Sequence, residues 1–183
     1  MHKYILNAAD TVLIIIDLQE KLMNAMPHKE RVYKYTNILI KTAQELGMPI
    51  MVTEQYPKGL GITVDEIKNC LSEHLYLDKI TFSACVEQGF RDELDKLGRK
   101  TIIITGSETH ICVLQTVRDL LGLGYNVHVP QEAVCSRTDD NYSNSLDLMR
   151  EMGAVITNTE TIIFDLLKKA GTPEFKVISP LIK

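Results

Sequence analysis

Cys112 stands where a strand-like run, Thr101-Ile102-Ile103-Ile104, gives way through Gly106 to a helical pattern of Val113, Leu114, Val117, Leu120 and Leu121. Two other residues that could do chemistry lie at the ends of strand-like runs, Asp17 after TVLIII and Lys79 within HLYLDKITF. A thiol at the first turn of a helix meets backbone N–H groups, and the positive helix end favours its thiolate. A neighbouring ammonium lowers the thiol pKa further. A carboxylate alongside can take the thiol proton and return it to a leaving group. Amides in the tight turn GSETHIC can hold an oxyanion. Together these groups describe acyl transfer from an amide or ester through a thioester. Each also has a plainer reading: a buried Cys as a small apolar residue, an Asp as a turn residue, a Lys as a solvated charge.

The elements that must position these residues follow from the apolar pattern. Strands are expected at 11–17, 48–53, 74–82, 101–106, 125–130 and 154–157. The run at 11–17 is almost continuously apolar, as suits a strand covered on both faces. Helices are expected at about 29–46, 64–69, 85–98, 111–123, 138–153 and 159–171, with Gly47 and Gly98 closing two of them. The stretch EQYPKGLG, 54–61, reads as a loop. Strand–helix alternation implies a three-layer α/β protein with a parallel sheet and right-handed crossovers. Ligands then bind at the carboxyl ends of the strands, which directs attention to Asp17, Glu54, Lys79, Gly106 to Cys112, and Pro130 to Arg137.

A dinucleotide is the usual occupant of such a sheet. Its glycine-rich pyrophosphate loop is missing, since the first strand runs into DLQEKLMNAM, and no Walker-type loop occurs elsewhere. The 183 residues suit one domain, 1–183. The net charge of −4 is spread evenly, against the basic stripe that a nucleic-acid binder needs. Apolar runs are too short to span a membrane. Cys70, Cys85, Cys112 and Cys135 form no CxxC pair. The opening MHKYILNAADT has no long apolar core. A cytoplasmic location with reduced thiols is therefore expected, an organellar one staying open.

Three stretches, LIIIDLQEKL, KITFSA and TGSETHICVLQT, resemble in order and spacing the isochorismatase-like cysteine hydrolases, a superfamily that includes nicotinamidases. In finer detail TEQYPKGLG and GSETHICVLQTVRDLLGLGYNVHV resemble the isochorismatase-domain-containing proteins of animals and protozoa. The resemblance implies a Rossmann-like sheet of six strands in the order 3-2-1-4-5-6. It implies Cys112 as nucleophile, Asp17 as general base and Lys79 as the cation beside them. It also implies a cis peptide between Ser107 and Glu108 that turns the Glu108 amide inward, beside that of Cys112, as an oxyanion hole. Related hydrolases associate, so a homo-oligomer is expected. Nicotinamidases hold a metal with Asp and His after the second strand. The segment TEQYPKGLGITVDE has no His, so neither metal nor other cofactor is expected.

The expected ligand is a small molecule, with neither nucleic acid nor membrane as partner. Gln19, Tyr56, Phe82 and Arg137 are candidate pocket residues, although Gln19 equally suits a solvated first helical turn. His110 could touch substrate or serve as a turn residue bonded to backbone. Cys70 and His74 share helical spacing without a second pair to complete a metal site. The functional expectation is hydrolysis of a small amide or ester. The rival is a catalytically idle scaffold or regulatory interaction protein.

Overall fold

The computed structural model describes residues 2–182. In chain order its elements are β1 (Thr11–Ile16), α1 (Glu20–Asn24), α2 (Lys29–Glu45), β2 (Ile50–Gln55), α3 (Pro57–Leu60), α4 (Asp65–Lys68), β3 (Leu75–Lys79), α5 (Gln88–Leu97) and β4 (Thr101–Ser107). There follow α6 (Leu114–Gly122), β5 (Asn126–Pro130), β6 (Val134–Cys135), α7 (Asp139–Glu151), β7 (Val155–Thr157), α8 (Thr159–Leu167) and α9 (Pro173–Ile178).

The strands pair in parallel in the order β3-β2-β1-β4-β5-β7. That is the expected path, its sixth member being β7. The two-residue β6 adds a seventh strand, pairing Val134 with Gly106 and Cys135 with Ser107. It is too short to leave a period in the sequence.

Alternation along β1 divides the core. Leu13 and Ile15 face one side, where Val32, Leu39 and Ala43 of α2 and Ile162 and Leu166 of α8 cover them. Val12, Ile14 and Ile16 face the other, against Phe90 and Leu94 of α5, Val117 and Leu120 of α6, and Met149 of α7. Both faces of the sheet are thus dry, which is why β1 and β4 read as unbroken apolar runs. Among the described residues no helix is long and apolar enough to cross a membrane.

Several expected bounds move. β2 runs on through Glu54 and Gln55, which the sequence assigned to a loop. Their polar side chains are buried by hydrogen bonds, a pattern that hydropathy cannot register. β3 stops at Lys79, and α8 stops at Leu167, where Lys168 adopts φ 58°. The short α9, started by Pro173 and capped by Thr172, was not expected.

Candidate active site

Register brings the three candidate residues together. β1 has β2 on one side and β4 on the other, so chain connections leave in opposite directions at its carboxyl end. Pairing of Ile16 with Gly106 sets Asp17 beside the start of the turn that carries Cys112. Pairing of Gln55 with Lys79 sets the lysine one strand beyond. Gly106 has φ 126°, and a β-carbon there would collide with the Ile16 carbonyl. The β1–β4 approach therefore requires glycine at this position.

Asp17 is fully buried with φ 49°, a left-handed conformation costly for a residue with a side chain. Its backbone is fixed on both sides. The amide donates to the Thr53 carbonyl at 3.1 Å, and the carbonyl accepts from Ser107 Oγ at 2.9 Å. Its carboxylate accepts from Thr53 Oγ1 and from Lys79 Nζ, each at 2.7 Å. Lys79, only 3% exposed, also donates to Gln55 Oε1 at 2.8 Å and lies 3.2 Å from the carbonyls of both Thr81 and Phe82. A buried ammonium surrounded by four oxygens, one of them anionic, meets the condition for keeping charge away from water.

Cys112, 6% exposed, packs against this pair. Its thiol is not the lowered-pKa group expected at a helix mouth. Burial pushes it up to about 12, the Asp17 charge adds to the rise, and the Lys79 charge opposes it. Burial and Asp17 together outweigh the cation, so the resting group is a neutral thiol. The local backbone differs too. Instead of starting α6, Cys112 lies in a wide π-type turn, Thr109–Val113, in which the Val113 amide reaches the Glu108 carbonyl at 3.2 Å. Such turns often occur at functional sites.

The Ser107–Glu108 peptide bond is cis. The Glu108 amide donates to no backbone carbonyl among the described residues. The Glu108 carboxylate is buried and accepts from the Arg137 amide at 3.1 Å and from Arg137 Nε at 3.0 Å. Arg137 thus holds the turn from outside. His110 Nδ1 lies 3.0 Å from Ser136 Oγ, a side-chain partner where a backbone one was the plainer expectation.

The candidate pocket residues divide. Gln19 lines nothing open; it is buried, accepts from the Gln55 amide at 2.7 Å and donates to the carbonyls of Gln55 and Gly61 at 3.0 and 2.6 Å. This corrects its solvated-turn reading and sets it behind Gln55, the partner of Lys79. Tyr56 and Phe82 keep more than half of their surface exposed, at 55% and 54%. Phe82 joins the site through its carbonyl rather than its ring.

Sequence reasoning passed over Thr53 and Gln55. Gln55 ends β2, where the strand-end rule could have found it had the strand been drawn to its full length, whereas Thr53 ended the strand as drawn, and its bond to Asp17 depends on the neighbouring strand. Among the described residues no group of three or more His, Cys, Asp or Glu side chains is placed to hold a metal.

A carboxylate, an ammonium and a thiol thus lie buried together at the switch point of an open parallel sheet. The chain belongs to the isochorismatase domain family, which matches residues 11–161. It is 42% identical over 177 residues to a secreted isochorismatase effector, Isc1, of Phytophthora sojae, covering 94% of this chain and 84% of that protein. It is 33% identical over 174 residues to isochorismatase domain-containing protein 2 of Rattus norvegicus, covering 94% and 81%. Among solved structures, the MAR1 ribonuclease of Caenorhabditis elegans superposes with a TM-score of 0.91 at 38% identity, covering 97% of this chain and 91% of that one.

Proposed function

We propose that the protein hydrolyses a small amide, or an ester, through a thioester on Cys112. The observation that carries this reading is the burial of Asp17 and Lys79 as an ion pair against an almost equally buried thiol. Because the resting thiol is neutral, attack and deprotonation go together. Asp17 takes the Sγ proton as sulfur adds to the substrate carbonyl carbon. Lys79 compensates the negative charge that the Asp17–Cys112 pair retains while the proton moves. The amides of Glu108 and Cys112 receive the developing oxyanion. As the tetrahedral species collapses, the carbon–nitrogen or carbon–oxygen bond breaks and Asp17 returns the proton to the leaving group. Water then attacks the thioester, with Asp17 taking its proton. The acid departs, the sulfur recovers a proton, and the site is restored.

The ribonuclease name of one relative suggests RNA as a substrate to include in any screen. The overall charge of −4 gives no basic track for a polynucleotide. The test is a panel of small primary amides, esters and short RNAs, read by product formation and by intact-mass adducts. An acyl mass on Cys112 and loss of turnover in Cys112→Ala, with an unchanged circular dichroism spectrum, are expected. An alanine variant retaining more than about one-hundredth of the turnover would reject the thioester route, since loss of a nucleophile costs far more than that. No turnover by the native protein on the panel, and no adduct, would favour the idle scaffold.

A further inference from the structure

Lys79 receives only part of its environment from the sheet. Two of its four oxygen neighbours, the carbonyls of Thr81 and Phe82, belong to the connection between β3 and α5. That connection is exposed at its tip, where Ile80 keeps 80% of its surface, and no strand pairing holds it. Side chains give it order, and one of them gathers three of its donors. Glu87 Oε1 accepts from the Ile80 amide and the Thr81 amide, each at 3.2 Å, and from Thr81 Oγ1 at 2.8 Å. From the strand side, Gln55 Nε2 donates to the Ile80 carbonyl at 2.6 Å while Gln55 Oε1 accepts from Lys79.

We propose that Glu87 is a positioning residue for the reaction: by gathering the Ile80 and Thr81 donors onto one carboxylate oxygen, it fixes the two carbonyls that aim the Lys79 ammonium at Asp17 and Cys112. This rests on the reading of Lys79 as the cation of the thiol site. The carboxyl of Glu87 is held below the usual carboxylate range, chiefly by the Thr81 hydroxyl and then by the Thr81 amide, with a smaller contribution from the Lys79 charge. Its negative form is therefore the one that organises the loop. Glu87 touches none of the reacting groups, and a carboxylate on the half-exposed start of a helix would ordinarily pass for helix-end charge.

The test reads the Cys112 thiol directly and needs no substrate. Iodoacetamide labelling is followed by peptide mapping at mildly alkaline pH, with exposed Cys70 as internal reference. Because the Lys79 charge favours the thiolate, Lys79→Met should slow Cys112 relative to Cys70, and Asp17→Asn should speed it. Glu87→Ala should slow Cys112 about three- to tenfold, tenfold corresponding to one pKa unit. Glu87→Gln, which keeps an acceptor oxygen for the loop, should stay within about twofold of the native rate. Thr81→Val, which removes one of the three donors, should fall between them. Should Lys79→Met and Asp17→Asn behave as stated while Glu87→Ala and Thr81→Val leave the rate unchanged or raise it, the Glu87 inference alone is overturned. Should Lys79→Met and Asp17→Asn leave Cys112 unmoved, the reading of the site falls, and the inference with it.

Discussion

In the proposed reaction, Cys112 ties the electrostatics of one residue to the order of events. A thiolate held ready in the free protein would be the most reactive thiol of the four. The observed burial reverses that ranking: Cys112 is 6% exposed and its pKa is pushed up to about 12, whereas Cys70 is exposed. Iodoacetamide should therefore modify Cys70 before Cys112, and peptide mapping of a time course settles the order. Cys112 reacting first in the free protein would mean a resting thiolate, with Lys79 outweighing burial and Asp17. The types Asp, Lys and Cys at strand ends were legible in the sequence because each stands next to an apolar run or a glycine. The net sign of the thiol shift was not. It depends on three competing effects whose sizes are set by burial and distance, and sequence supplies neither.

At the scale of elements, the approach of β1 to β4 decides whether the Asp17 carboxylate can meet the turn that carries Cys112. Gly106 pairs with Ile16, and a methyl group at 106 would press on the Ile16 carbonyl in a backbone conformation, φ 126°, that L residues avoid. Gly47 offers a control. It closes α2 with φ 62°, and a β-carbon there would meet nothing within 4 Å. Gly47→Ala should cost about 1 kcal/mol, the ordinary penalty of a left-handed turn. Gly106→Ala should cost on the order of 3–5 kcal/mol, since the strand backbone must move as well. Denaturant midpoints of the two variants provide the comparison, and equal losses would show that β1 and β4 can separate freely. The pattern of strands and helices was readable because both sheet faces are dry. The end of β2 was not, because Glu54 and Gln55 are polar residues made compatible with burial by partners distant in sequence. Glu54, for example, accepts from the Thr63 amide at 2.6 Å and from the Tyr76 hydroxyl at 2.8 Å. Glu87 escaped for the same reason: its proposed role lies in the loop it gathers, seven residues before it in the case of Ile80.

Over the whole molecule, the two dry faces that make the sheet legible also bury most of its thiols. Cys85, Cys112 and Cys135 each have a pKa pushed from 9.0 to about 12, in every case chiefly by burial. For Cys85 the Asp119 charge adds to the rise and for Cys112 the Asp17 charge does, while Arg31 works against it at Cys135. Tyr125 is raised to about 12 by burial and its hydrogen bond to Asp95, so it acts in the same direction. Below pH 9 these thiols are protonated in folded and unfolded chains alike, and their contribution is constant. Between about 9 and 12 the unfolded chain has lost protons that the folded chain retains, so the folded state binds more protons and stability must fall as pH rises. Each thiol contributes a slope of up to about 1.4 kcal/mol per pH unit in that window. Denaturant unfolding at a series of alkaline pH values should show a steep loss of stability beginning near pH 9. The Cys85→Ala and Cys135→Ala double variant should show a shallower one, although its stability at neutral pH is lower. A native profile that stays level through this window, or a double variant with an undiminished slope, would mean that the thiols ionise inside the fold without resistance. The sheet faces would then be wetter than their near-zero exposure requires, and the neutral resting state of Cys112 would lose its physical basis.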